Sequence, residues 1–145
     1  MHDIQVHSKA SIQEVNIDKP FVVISIVSTD DNWLCPMLKN CLATLHMKFD
    51  DVDYSVGKYR PIDSLQAFNL VNFIKVYRHR VDTILIHCEA GISRSSAAAA
   101  AIATWLNGPQ DSNRFFIGIG PNGRFCPNSK VFSTLFREFS KQLRA

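Results

Sequence analysis

A cysteine and an arginine separated by five residues stand where a predicted buried strand is followed by a predicted helix. Cys88 directly follows the apolar, β-branched residues 83–87, and Arg94 precedes an alanine-rich segment of high helix propensity. A strand, a tight loop and a helix N-terminus form a common anion site, because the backbone N–H groups of the loop point at the ligand. A nucleophile and a guanidinium on such a loop suit attack on a bound phosphate.

Each residue of this loop has a chemical role in that interpretation. Cys88 attacks phosphorus as a thiolate, which the inward-pointing amides of residues 89–94 stabilise. Arg94 binds two phosphate oxygens in a bidentate fork. Gly91 allows a backbone turn that a Cβ would obstruct, and the Ser95 hydroxyl can donate to the cysteine sulfur. The loop residues expected to bind substrate are Glu89, Ala90, Gly91, Ile92, Ser93 and Arg94.

The neighbours of the loop are expected to support it. His87 should face inward and fix the loop by hydrogen bonds. Ser93 and Ser96 should cap the loop and the helix. Glu89 should point outward in a structural role, and the alternative is that its carboxylate repels a bound phosphate.

This segment resembles the His-Cys-x5-Arg-Ser/Thr signature of the cysteine-dependent tyrosine and dual-specificity phosphatases. Residues 87–95, HCEAGISRS, match every fixed position of it. The resemblance covers residues 21–143 and is weakest in the first twenty residues and at 115–125. It implies a phosphatase-type α/β fold and hydrolysis of phosphomonoesters without a metal ion or cofactor.

Within that superfamily, the chain is similar to small phosphatases of bacteria and their phages. The similarity lies in Asp51-Val52 after the earlier strand and Pro127-Asn128 before the last helix. Asn128 is expected to support the active-site loop, and a helix cap is the alternative.

The resemblance also implies a general acid on a loop before the signature. Asp51 is the leading candidate because it follows a predicted strand, with Asp50 and Asp53 as alternatives. Asp63 is better explained as a helix cap, since Gln66 follows it in a capping-box pattern. Asp51 would protonate the leaving group and later activate the water that hydrolyses the phosphocysteine.

Phosphotyrosine in a protein or peptide is the leading substrate, and phosphoserine or phosphothreonine is the second. Phosphate, sulfate or vanadate should bind in the same loop. The alternatives are a phosphoinositide or RNA 5′-phosphate substrate, and a module that binds phosphate without turnover. Lysines inside the signature would favour inositides, and Glu89, Ala90 and Ile92 supply none.

The rest of the chain predicts alternating strands and helices. This pattern indicates one α/β domain over residues 1–145, with a central, mostly parallel sheet flanked by helices and the active-site loop between a strand and a helix N-terminus. Strands are predicted at residues 4–6, 21–27, 45–49, 83–87 and 115–119. Helices are predicted at residues 8–16, 34–42, from the Asp63 cap to about residue 80, at 95–106, and in the last segment, where Phe132, Leu135, Phe136, Phe139 and Leu143 share a face. Residues 50–61 are expected to form a loop.

Composition excludes several classes of protein. The 46% hydrophobic and 20% charged residues are close to globular averages and argue against disorder or a fibre. No apolar run approaches the ~18 residues of a transmembrane helix, and no export signal is visible, so a cytoplasmic protein without a membrane partner is expected. The formal charge of +3 suits one anionic ligand better than nucleic acid.

The four cysteines are irregularly spaced, so a zinc site is not expected. Cys35, Cys41 and Cys126 are expected to be small buried hydrophobic residues. A reversible disulfide between Cys88 and Cys126 under oxidation is the alternative for the last of them.

Overall fold

The computed structural model describes residues 1–143 and has four parallel strands at its centre. In sheet order they are β1 (Asp3–His7), β4 (Thr83–His87), β2 (Phe21–Val27) and β3 (Cys41–Lys48), and a separate antiparallel pair joins β5 (Ile119–Gly120) to β6 (Gly123–Arg124). The helices are α1 (Lys9–Ile12), α2 (Ser64–Tyr77), α3 (Arg94–Leu106), α4 (Pro109–Ser112), α5 (Arg114–Ile117) and α6 (Ser129–Leu143). The predicted α/β architecture with a parallel sheet flanked by helices is confirmed.

The central strands are apolar on both faces because both faces are covered. Every residue of β2 and β4 is buried, as is typical of parallel sheets. Ile24 and Ile84 belong to the larger core, which also contains buried residues of α2, α3 and α6. Phe21 and Leu85 belong to a smaller core with Ile12 of α1. The bounds of β2 and β4 agree with the strands predicted at residues 21–27 and 83–87.

Helix α3 is buried along most of its length. Its alanines at residues 97–101 have no exposed surface, and the helix lies against α6 and the sheet. Small side chains let a helix approach its neighbours closely, and alanine also has the highest helix propensity. The alanine run thus allows the N-terminal part of α3 to pack closely on the sheet near the end of β4. Within residues 1–143, no helix is long and apolar enough to cross a membrane.

All four central strands end at the same edge of the sheet because they are parallel. The segments that follow β1, β2, β3 and β4 therefore meet there. In open α/β sheets the crevice outside the carboxyl ends of the strands is the usual ligand site. The segment after β4 is the loop of residues 88–94.

The helix predicted at residues 34–42 is wrong. Residues 32–38 have no regular structure, and β3 already begins at Cys41. Trp33, Cys35 and Leu38 pack on the smaller core, whereas Leu34 and Met37 are 67% and 88% exposed. This spacing does not form one helical face, so burial of the three inward side chains favours an extended path.

The strand predicted at residues 115–119 is also wrong. Residues 114–117 form the single turn of α5, which Gly118 ends with a hydrogen bond from its N–H to Arg114 O at 3.1 Å. Of the five residues predicted as a strand, only Ile119 lies in one, as the first residue of β5. An apolar run this short has no periodicity that separates a strand from a helical turn.

Other boundaries shift less. β3 begins before the predicted residue 45, and α1 ends before the predicted residue 16. The last helix forms, but Phe136 on its predicted apolar face is 39% exposed. The loop at residues 50–61 is confirmed.

The N-terminus of α2 has the predicted capping box, which yields a test of the fold. The Asp63 carboxylate accepts from Gln66 N at 2.8 Å, and Gln66 Oε1 accepts from Asp63 N at 3.0 Å. Replacing Asp63 with alanine should lower the free energy of unfolding by about 1 kcal/mol in urea titrations. The exposed Asp18→Ala variant should change it by less than about 0.5 kcal/mol. Equal effects of the two changes would refute the cap.

Candidate active site

The loop of residues 88–94 joins the end of β4 to the first turn of α3. Gly91 lies at its bend with φ +71, a conformation that residues with a Cβ rarely adopt. A Cβ there would also lie 2.7 Å from Pro121 Cγ and 3.0 Å from the His7 carbonyl group. Glycine at this position therefore serves both the turn and its close packing.

The carbonyl groups of this loop accept hydrogen bonds from the segments around it. At 3.0–3.1 Å, the pairs are Lys9 N to Glu89 O, Asn122 Nδ2 to Ala90 O, Cys126 N to Ile92 O, and Asn128 N to Ser93 O. Among the described residues, none of the backbone N–H groups of residues 89–93 donates to a protein acceptor. These N–H groups can therefore bind an anion at the N-terminus of α3, where the helix dipole favours negative charge.

Cys88 begins the loop and is 3% exposed. Its Sγ lies 3.0 Å from Ser95 Oγ, in the first turn of α3. Its N–H donates to His7 O at 3.4 Å, which continues the β1–β4 pairing into the loop. Cys88 is thus fixed through its backbone and has a serine hydroxyl beside its sulfur.

Arg94 is 6% exposed, and its guanidinium is held from the ends of two other strands. Nη1 donates to Phe49 O at 2.8 Å, just after β3, and to Ser28 Oγ at 3.1 Å, just after β2. Nε and Nη2 donate to no protein group within residues 1–143. These two atoms are left as a fork with the geometry that suits two oxygens of a phosphate.

The exposed Asp51 lies at the rim of the loop. Its Oδ1 accepts from Ser93 Oγ and from Asn128 Nδ2, each at 2.8 Å. Asn128 Oδ1 in turn accepts from Val131 N at 3.0 Å in the first turn of α6. Asn128 therefore contacts the Asp51 carboxylate and caps a helix, and both functions expected of it as alternatives have a structural counterpart.

The two alternative acids are placed differently. Asp53 is exposed. Asp50 is 4% exposed and accepts from Thr29 and Arg60 rather than facing the loop. Burial acts to raise the pKa of Asp50, but hydrogen bonds from Arg60 and Thr29 outweigh it and hold that pKa below its ordinary value. Of the three aspartates, Asp51 is the one hydrogen-bonded to a loop side chain.

The serines that flank Arg94 differ in function. Ser96 Oγ donates to Ile92 O at 2.6 Å and to Ser93 O at 3.1 Å. Ser93 occupies the cap position of α3 but makes no capping bond with its side chain. The capping role expected for the Ser93 hydroxyl is therefore wrong, because this hydroxyl donates to Asp51 instead.

His87 is fully buried and fixes the start of the loop, as expected. Its Nδ1 lies 3.2 Å from Cys88 O and its Nε2 lies 2.6 Å from Ser25 Oγ. Because a carbonyl only accepts, Nδ1 carries the proton and Nε2 accepts from the Ser25 hydroxyl. The pKa of His87 is lowered to about 4, chiefly by burial; the bond to Cys88 O opposes the shift, and nearby charged groups add to it.

Glu89 points out of the loop, as expected, and its carboxylate lies 4.0 Å from Lys9 Nζ. Lys9 also pairs with Asp31 at 3.1 Å and lies over the Trp33 ring at 4.9 Å. Trp33 meets His87 edge-on with ring centroids 5.5 Å apart. The start of the loop therefore packs against α1 and the segment after β2.

Sequence reasoning missed the residues that contact the loop from outside. Ser28 and Phe49 for Arg94, Ser25 for His87, and Asn122 for Ala90 belong to no motif. The only available signal was the position of Ser28 directly after one predicted strand and of Phe49 at the end of another. Within residues 1–143, no group of three His, Cys, Asp or Glu side chains is placed to hold a metal ion.

The other three cysteines differ in exposure. Cys35 and Cys41 are half-buried, and burial raises the pKa of Cys35 to about 11. Cys126 is exposed, so the burial expected for it is wrong. Its N–H already donates to Ile92 O, and that bond keeps it on the outer side of the loop.

Substitution of Gly91 tests the packing of the loop. Gly91→Ala should weaken phosphate binding and lower the free energy of unfolding by several kcal/mol, because the new methyl group meets backbone. Gly57→Ala is the matched control, since Gly57 has φ +56 but nothing within 4 Å of an added Cβ. Both variants place alanine at a positive φ. The difference between them in urea unfolding and in vanadate titration therefore measures the effect of the steric clash at position 91. A Gly91 variant no worse than the control would refute it.

The buried neutral His87 predicts a pH dependence of stability. The unfolded chain binds a proton near pH 6.5, whereas native His87 does so only near pH 4. The contribution of His87 to the free energy of unfolding should therefore be fully present above pH 6.5. It should decrease as the pH falls toward 4, by at most about 1.4 kcal/mol per pH unit. Urea unfolding across this range should show a shallower slope for His87→Asn than for the wild type. Identical slopes would contradict a neutral, buried histidine.

No protein-family model and no curated protein sequence matches the chain. Solved structures do match. The human tyrosine phosphatase-like serine/threonine/tyrosine-interacting protein has a TM-score of 0.57 at 19% identity, over 87% of this chain and 80% of that one.

Two further structures match over nearly the whole chain. PTPMT1 in complex with PI(5)P has a TM-score of 0.59 at 14% identity, over 97% of this chain and 92% of that one. Human DUSP28 has a TM-score of 0.58 at 14% identity, over 98% of this chain and 95% of that one. Similarity to bacterial and phage members stays a prediction. With its parallel sheet and an HCEAGISRS loop at the sheet edge, the chain has the fold of the cysteine-dependent tyrosine and dual-specificity phosphatases.

Proposed function

We propose that the chain hydrolyses phosphomonoesters through a phosphocysteine formed on Cys88. The observation that carries the proposal is the meeting of four groups at one loop. Cys88 Sγ lies 3.0 Å from Ser95 Oγ, the Arg94 guanidinium is fixed from two strand ends, and Asp51 is hydrogen-bonded to Ser93 of the loop. This arrangement has a nucleophile, an anion site and a proton donor.

In the first step the Cys88 thiolate attacks phosphorus and forms the S–P bond as the P–O bond to the leaving group breaks. The loop N–H groups and Arg94 bind the three equatorial oxygens. Asp51, protonated at the start, gives its proton to the leaving oxygen. Charge stabilisation therefore comes from protein groups, and the step needs no metal ion.

In the second step water attacks the phosphocysteine. Asp51, now a carboxylate, takes a proton from the water, and the S–P bond breaks to release inorganic phosphate. The Ser95 hydroxyl donates to the departing sulfur. Two in-line displacements at one site thus return Cys88 and Asp51 to their starting states.

Phosphotyrosine in a protein or peptide is the substrate class that the loop fits best. Arg94 is the single cation among residues 88–94. A substrate with several phosphate groups would find only one cation in the loop. The PI(5)P complex of PTPMT1 makes a phosphoinositide the second candidate.

Hydrolysis of a small aryl phosphate in excess chelator tests the proposal. Wild type should be active, Cys88→Ser should be inactive, and Asp51→Asn should lose roughly 10²–10⁴-fold in turnover. Cys41→Ser is the matched control, because a serine hydroxyl can replace the contact of Cys41 Sγ with Ala43 O. Phosphotyrosine peptides and phosphoinositide vesicles then separate the two substrate classes.

Two results would contradict the proposal. Activity that survives in Cys88→Ser would mean that another group is the nucleophile. An inactive wild type that still binds vanadate would indicate a phosphate-binding module.

A further inference from the structure

A buried carboxylate one residue before the general acid takes no part in the proposed chemistry. Asp50 Oδ1 accepts from Thr29 N at 3.1 Å. Asp50 Oδ2 accepts from Thr29 Oγ1 and from Arg60 N, each at 2.8 Å. Burying a carboxylate is costly unless hydrogen bonds compensate it, and here three donors surround it.

These bonds close the loop that carries Asp51. Asp50 N also donates to Arg60 O at 2.7 Å, so Asp50 and Arg60 hold each other through both backbone and side chain. Within the closed loop, Val56 and Tyr59 form a second pair of backbone hydrogen bonds at 3.2 and 2.9 Å. The loop therefore has a fixed base, and Asp51 is its first residue.

The same two strand ends hold Arg94. Ser28 and Phe49, which bond the guanidinium, directly precede Thr29 and Asp50. Ser28 and Phe49 thus position the Arg94 guanidinium. The residues that follow them, Thr29 and Asp50, bond to each other at the base of the loop that carries Asp51.

We propose that Asp50 is a positioning residue that, with Thr29 and Arg60, holds the Asp51 carboxylate over the phosphate held by the loop. We call these three residues the acid-loop clamp. The inference rests on the proposed function, because it assigns Asp50 a task only if Asp51 donates the proton. Asp50 itself touches neither the substrate nor the reacting atoms.

Asparagine at position 50 should break the clamp with little change of volume. The carboxylate accepts on both oxygens, whereas an amide has one acceptor oxygen and places an N–H₂ group against a donor. Either the Thr29 segment or the Arg60 segment must then move away from position 50. The loop bearing Asp51 is exposed and is therefore the part expected to shift. The expected consequence is a misplaced general acid above an intact phosphate site.

The test measures kcat/KM of Asp50→Asn for aryl phosphates whose leaving phenols range from strongly to weakly acidic. A strongly acidic phenol, as in dinitrophenyl phosphate, leaves without a proton, whereas phenol needs one. The variant should lose about 10–100-fold with phenyl phosphate but less than about 3-fold with dinitrophenyl phosphate. Inhibition by vanadate should change less than about 2-fold, since the loop and Arg94 are kept.

Asp51→Asn and Asp53→Asn are the reference variants. The first should show the same dependence on the leaving group more strongly, and the second, with an exposed carboxylate in the same loop, should behave as wild type. Asp51→Asn with this dependence and Asp50→Asn without it would overturn the clamp alone. Asp51→Asn without it would overturn the proposed general acid, and the clamp with it.

Thr29 offers an independent variant if Asp50→Asn does not fold. Thr29→Val removes the Oγ1 donor at an exposed position, and Thr29→Ser restores it. Valine should impair phenyl phosphate more than dinitrophenyl phosphate, and serine should reverse the effect. An equal loss with both substrates would reduce the clamp to a contribution to folding, and overturn it.

Discussion

A loop that binds phosphate through its backbone must turn its N–H groups inward, and its carbonyls must then find donors elsewhere. Here those donors come from Lys9, Asn122, Cys126 and Asn128. Buried carbonyls without donors would cost free energy comparable to a lost hydrogen bond each. The need for these donors brings α1, the β5–β6 turn and the start of α6 to the outer side of the loop.

The parallel sheet makes this meeting possible. Because β1, β2, β3 and β4 end at one edge, their following segments reach the loop without long connections. The segments after β2 and β3 position the Arg94 guanidinium and the aspartate loop. The buried alanine face of α3 holds the helix N-terminus against the end of β4. Cys88 and Arg94, which share one loop, and Asp51, which comes from an earlier part of the chain, are therefore held by the same sheet edge.

The sequence alone could predict what depends on local chemistry. The Cys88–Arg94 loop, the inward His87 and the Asp63 cap follow from residue types and spacing over a few positions. The partners of Arg94 could not be predicted, because Phe49 acts through a carbonyl group that every residue has. The irregular path at 32–38 and the turn at 114–117 were missed because burial against a tertiary neighbour overrides a weak local pattern. The family resemblance pointed to Asp51 but carried no information on the bonds that hold it.

The first strand and helix, β1 and α1, hold the start of the loop of residues 88–94. The resemblance to known phosphatases is weakest in the first twenty residues, yet His7 O receives the Cys88 N–H and Lys9 N caps Glu89 O. Those contacts involve backbone atoms, so they do not depend directly on which side chains stand at these positions. A version of the chain that lacked the first twenty residues would keep Cys88, Arg94 and Asp51 but lose the backbone partners of the first two loop residues. The segment that supports the loop therefore begins before residue 21, where the resemblance to known phosphatases begins.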